Sequence, residues 1–170
     1  MPLDAWRRQL AVILDGAFLC TREAARRMIA ARRRGSVINV VSTAGHQGQP
    51  GNVGYCSGKS ALLNFTRSVA MELAPHRIRV NSLTPTATDP DEGAERASRF
   101  GASPPSAPMR AVFEKFRRGV PMQELPKPSD YARAVVFLAS DDSSMMTGAD
   151  LRVDAGALAR YWAWDPGGED

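Results

Sequence analysis

Cysteine is scarce: Cys20 and Cys56 are the two thiols among 170 residues. They fall in segments that read as different elements, which excludes a disulfide scaffold. Two isolated buried thiols in a reducing compartment are expected instead. No apolar run approaches the roughly 20 residues of a membrane-spanning helix. The first residues also lack the basic, apolar, small-residue order of a secretory signal. A cytoplasmic location with no membrane partner is therefore expected. Histidine is as rare as cysteine, two in all, and no metal site is expected. The net charge of +4 is mild. The run Arg32-Arg33-Arg34 has no aromatic or basic motif beside it, so it reads as a solvated helix end and no nucleic-acid partner is expected. No internal repeat is present.

What is there suits a soluble globular chain of one domain, residues 1–170, with enough length for a real core. Pro2 to Arg34 reads as one long helix with Asp4 at its start. Trp6, Leu10, Ile13, Leu14, Ala17, Ala24, Met28 and Ile29 form its apolar stripe, and Gly35 ends it. Ser36 to Val41 is an apolar, β-branched run, as in a strand covered on both faces. A glycine-rich loop from His46 to Gly54 follows, and His46 in it is expected to be solvated. Val53 to Leu73 reads as a second long helix, and Arg77 to Thr84 as a second strand. Residues 86–108 are polar and rich in Gly, Ser and Pro, as in a mobile lid or a surface loop. A short basic helix covers Met109 to Arg118, a further helix capped by Ser129 runs to Ala139, and Leu151 to Asp154 forms the last strand. Tyr161, Trp162 and Trp164 in the tail suggest docking on the chain's own core or on a neighbouring subunit.

The chemistry concentrates between Ser42 and Lys59. Tyr55 and Lys59, four residues apart, share one helical face. A phenol ordinarily titrates near about 10, too high for a proton donor and acceptor that must cycle near neutrality. A neighbouring ammonium favours the phenolate, and bringing it to neutrality takes about 4 kcal/mol of differential interaction. Ser42, at the strand end, can hold a substrate oxygen while Tyr55 moves the proton. No side chain supplies hydride, so a nicotinamide cofactor is implied. A lone Tyr-x-x-x-Lys is common on helices as a half-buried pair. Its weight here comes from the serine thirteen residues earlier and from the sequence around both.

At this point the chain resembles the short-chain dehydrogenase/reductase family over nearly its whole length. Val40-Val41-Ser42-Thr43-Ala44-Gly45 is similar to the family's serine strand, and Gly54-Tyr55-Cys56-Ser57-Gly58-Lys59 to its Tyr-x-x-x-Lys segment. Ile78 to Pro85, Phe137 to Asp141 and Thr147 to Gly156 resemble the strand, helix and strand that follow. The resemblance implies an α/β fold: a partial Rossmann-type parallel sheet of about three strands, like the family's strands 5, 6 and 7, flanked by long helices. It implies an NAD(P)-dependent oxidoreductase acting on an alcohol or ketone. Ser42, Tyr55 and Lys59 are then catalytic, and Tyr55, Lys59, Pro85, Thr86 and Thr88 bind NAD or NADP.

Departures accompany it. The family's opening strand, Gly-rich turn and ribose-reading residue, its dinucleotide-binding half, have no counterpart. Ile13 stands where the family's relay asparagine does, Thr86 replaces a glycine, and Pro90 sits where a threonine is expected. Without its neighbour the strand Ser36–Val41 is expected to leave an open edge, for another chain to fill or not. The helices 4–34 and 53–73 correspond to the family's main subunit interface, so a homo-oligomer is expected. A non-catalytic remnant or interaction module is the alternative to an enzyme.

Overall fold

The computed structural model describes residues 1–170 except 92–93, 95–97, 102, 162 and 166–170. The chain forms two compact units, Met1–Thr84 with Ala134–Arg152, and Pro85–Arg133 with Val153–Asp170.

The first long helix is broken in phase. It consists of α1 (Leu3–Leu10), a π-helical turn at Ala11–Asp15, and α2 (Gly16–Ala30). It ends at Ala30, not at Gly35. Arg32, not the glycine, takes the left-handed conformation (φ 52°) just beyond the helix end. Gly35 instead opens β1 (Gly35–Val40), and a Cβ there would collide with the sulfur of Met28. The helix α3 (Val53–Leu73) has the expected bounds. β2 (Ile78–Pro85) follows, then α4 (Ala107–Arg118), α5 (Pro128–Ala139) and β3 (Asp150–Val153). Within 86–108, Pro90, Asp91, Ala94 and Ser98 are helical where a loop is expected. Ser129 lies inside α5 and is not its cap: the amide of Lys127 donates to Asp130 at 2.7 Å. Trp162 lies outside the described residues; Tyr161 is exposed and Trp164 half-buried.

The sheet is three-stranded in the order β1-β2-β3, with β1 parallel to β2 and Gly35 opposite Ile78. β2 is the central strand, and Ile78, Val80 and Leu83 are almost fully buried. Alternation divides β1 between two faces. On its odd face the later positions meet α3: Asn39 donates to Thr66 Oγ1 at 2.9 Å, and Val41, just past the strand, packs with Leu62 and Leu63. On the even face, Ser36 donates to the Leu138 carbonyl at 2.7 Å, but Val40 is 50% exposed. The strand is therefore not covered on both faces: cover on the even side fades towards its C-terminal end.

The second unit has its own small core of Val120, Leu125 and Ala155. Gly156, at φ +82°, could not carry a Cβ without pressing to 3.0 Å from Pro121. On α4 the Glu114 carboxylate accepts from Arg117 at 2.8 and 2.6 Å and from Arg118 at 3.1 Å. Those guanidinium hydrogen bonds hold its pKa down to about 2. A carboxylate so depressed contributes stability above its ordinary range and loses it as pH falls through the lowered value. The Glu114 carboxyl carbon is expected to titrate near pH 2 by NMR; a midpoint in the ordinary glutamate range would mean that the fork is not formed in solution.

No helix among the described residues is long and apolar enough to cross a membrane. Cys20 is exposed and Cys56 half-buried, which corrects the expectation of two buried thiols. Cys20 follows the exposed Phe18 and Leu19 on α2, and the Arg22 guanidinium lies over the Phe18 ring at 5.5 Å.

Candidate active site

The site is built where β1 runs out. After Val41, Ser42 is fully extended (φ −176°, ψ 155°), and a 3-10 turn, Thr43–Gly45, folds back. The turn closes with Gly45 N donating to the Ser42 carbonyl at 2.8 Å. Ser42 Oγ accepts from the Ala44 amide at 3.2 Å. The amide uses a lone pair of that hydroxyl and leaves its proton to donate to a ligand oxygen.

Glycine sets how close the turn comes to α3. A Cβ on Gly45 would lie 2.9 Å from the backbone carbon and oxygen of Lys59 and from a methyl of Val41. The serine turn therefore seats directly on the helix that carries Tyr55 and Lys59. On that helix the Lys59 ammonium lies 5.8 Å from the centre of the Tyr55 ring. It also donates to the Val40 carbonyl at 2.7 Å. Burial pushes the Lys59 pKa down, because a desolvated ammonium is disfavoured.

The Val40 carbonyl has a definite direction. The next amide, Val41 N, donates across to Leu83 of β2 at 2.8 Å. In a trans peptide the carbonyl points the opposite way, away from β2 and onto the open edge of the sheet. Lys59 thus caps the last carbonyl of that edge.

Ile13 lies in the π-helical turn, and its side chain fills the space over Gly58: a Cβ there would approach it at 3.1–3.3 Å. An aliphatic group accordingly sits beside the turn of helix between Tyr55 and Lys59 and offers no hydrogen bond to a relay water.

The predicted residues divide between the units. Ser42, Tyr55 and Lys59 belong to the first, where the turn that begins at Ser42 seats on Lys59. Pro85 ends β2, and Thr86 and Thr88 belong to the second, where the Tyr131 hydroxyl donates to the Thr86 carbonyl at 3.3 Å and bonds the Thr88 side chain. Burial raises the Tyr131 pKa. The sequence reading did not single out Tyr131, and no periodic or motif signal marks it. It also missed a cluster beneath the serine turn. His46 is not solvated: its Nε2 lies 3.2 Å from Asp150, and Ser82 and Thr84 donate to the same carboxylate at 2.6 and 2.7 Å. Among the described residues no group of three or more metal-ligating side chains occurs.

Comparison with known proteins places these features. Residues 1–158 match the family described as enoyl-(acyl carrier protein) reductase. The chain is 36% identical over 157 residues to a (3R)-3-hydroxyacyl-CoA dehydrogenase of Canis lupus familiaris, covering 92% of this chain and 56% of that protein. Among solved structures, acetoin dehydrogenase from Enterobacter cloacae superposes with a TM-score of 0.80 at 31% identity, covering 98% of this chain and 60% of that one. An NAD+-bound xylitol dehydrogenase superposes with a TM-score of 0.75 at 31% identity, over 89% of this chain and 60% of that one. The chain thus spans little more than half the length of the proteins it matches.

Proposed function

The chain belongs to the short-chain dehydrogenase/reductase family, and on that premise we propose that it is an oxidoreductase that interconverts an alcohol and a ketone, with Tyr55 as general acid and base. The observation that carries this reading is the seating of the serine turn on the Lys59 backbone, with the Lys59 ammonium beside the Tyr55 ring. In reduction Tyr55 gives its hydroxyl proton to the carbonyl oxygen; in oxidation it takes a proton from the alcohol. Ser42 donates to the same oxygen and holds it in place. The Lys59 ammonium, 5.8 Å from the centre of the Tyr55 ring, places a positive charge beside the site of proton transfer.

The residues fit one end of a nicotinamide nucleotide. Lys59 spends one N–H on Val40 and keeps two donors, enough for a ribose diol. The sequence contains no Gly-rich turn for a pyrophosphate. Such a cofactor, when bound, supplies or accepts the hydride. A relative bound to NAD+ supports this cofactor class.

The chain's own partner is a second copy. Val12, Phe18, Leu19 and Met71 are exposed apolar residues on the long helices α2 and α3 and the π-helical turn, and they support self-association through these elements.

Calorimetric titration with NADH and with NADPH tests the reading. Saturable binding of one of them, weakened at least tenfold by Lys59→Met, is the expected result. A folded protein that binds neither would overturn the enzyme and leave the non-catalytic interaction module, which the aliphatic Ile13 beside Gly58 favours.

A further inference from the structure

His46 closes the serine turn, its amide donating to the Thr43 carbonyl at 3.0 Å. Its side chain is 14% exposed and that of Asp150 12%. Nε2 lies 3.2 Å from Asp150 Oδ2 and 3.2 Å from Thr84 Oγ1. Asp150 Oδ1 takes the hydroxyl protons of Ser82 at 2.6 Å and of Thr84 at 2.7 Å, and Arg152 reaches Oδ2 at 3.4 Å.

These contacts fix the proton on the imidazole. Thr84 has one hydroxyl proton, and the carboxylate receives it. Its oxygen then offers only lone pairs to His46, and the carboxylate likewise only accepts. Both neighbours of Nε2 are acceptors, so Nε2 carries hydrogen. Asp150 stands at the start of β3, and Ser82 and Thr84 stand on β2. The ring therefore ties the far end of the turn that begins at Ser42 to two strands of the sheet.

We propose that Asp150, acting through the Nε2–H of His46, is a clamp that positions the Ser42 hydroxyl. His46 and Asp150 are positioning residues: the turn is held at Gly45 by contact with Lys59 and at His46 by this hydrogen bond. The role rests on Ser42 being the residue that orients the substrate oxygen; the clamp itself does not.

The tests separate the two. A long-range nitrogen–proton correlation spectrum of the labelled chain is expected to show His46 with hydrogen on Nε2, and a ring protonated on Nδ1 alone would overturn the clamp. In His46→Leu, the Gly45 and His46 amides are expected to exchange about tenfold faster, while the Val41 amide, bonded to Leu83 in the sheet, keeps its rate. In His46→Gln the side-chain nitrogen reaches the place of Nε2, and protection is expected to return. Unchanged exchange in the leucine variant, or no return with glutamine, would overturn the proposal. If the leucine variant does not fold, the ring spectrum and the glutamine variant decide. Where turnover is measurable, kcat is expected to fall in the leucine variant and recover in the glutamine variant. A wild-type chain without turnover would sink the oxidoreductase reading and leave the spectrum and exchange rates to judge the clamp.

Discussion

Tyr55→Phe is expected to lower turnover by about 10²–10⁴-fold, the usual contribution of a positioned acid and base. The substitution removes one oxygen and keeps the ring. The ammonium of Lys59 therefore still lies against an aromatic face, and its bond to Val40 does not depend on the phenol. Nucleotide affinity should fall far less than turnover, and the main loss should appear in kcat. Steady-state rates and a nucleotide titration on the same preparation check both halves of the statement. A phenylalanine variant that keeps most of its turnover would show that the proton comes from elsewhere, and Tyr55 would then be only a wall of the site.

Asn81→Ala is expected to give the largest loss of stability. Asn81 is fully buried in β2. Its Nδ2 donates to the Met146 carbonyl at 2.8 Å, and its Oδ1 accepts from the Ala149 amide at 3.0 Å. The side chain thus bonds both sides of the bend that leads into β3, next to the backbone bond from Gly148 N to the Val80 carbonyl at 2.7 Å. Truncation strands one part-buried acceptor, the Met146 carbonyl, and one part-buried donor, the Ala149 amide, at up to about 1–3 kcal/mol each. Urea unfolding should show a clearly lower midpoint with an unchanged slope, because the surface exposed on unfolding is the same. A midpoint shift worth less than about 0.5 kcal/mol would mean that water replaces both bonds.

The placing of Tyr55 and Lys59 on one helix, and of Ser42 at a strand end, was legible because that geometry is local. Four residues of helix bring Tyr55 and Lys59 to one face, and an apolar run ending at Val41 announces the strand end that presents Ser42. The limits of α3 were legible too, since its apolar face runs unbroken through Leu62, Leu63 and Ala70. The π-helical turn at Ala11–Asp15 was not: one widened turn hardly disturbs the spacing of an apolar stripe. Nor was the end of α2 at Ala30, because an arginine, not the nearby glycine, takes the left-handed position. The cluster around Asp150 has no signature at all. Its members come from a loop, β2 and β3, sixty-odd residues or more separate Asp150 from Ser82 and Thr84, and only the order of the strands brings them together.

The bond from Lys59 to Val40 also bears on how the protein behaves as a material. The outer edge of β1 is bordered by no other strand among the described residues, and an unfilled edge invites other chains to adhere. Charged side chains at an edge are what natural sheets use to discourage this, so the ammonium proposed to act beside the tyrosine also guards the edge. Lys59 is therefore a confounded probe. A variant lacking it loses the cation at the site and the guard on the edge together, and low activity in such a preparation has to be separated from precipitation before it counts against the chemistry.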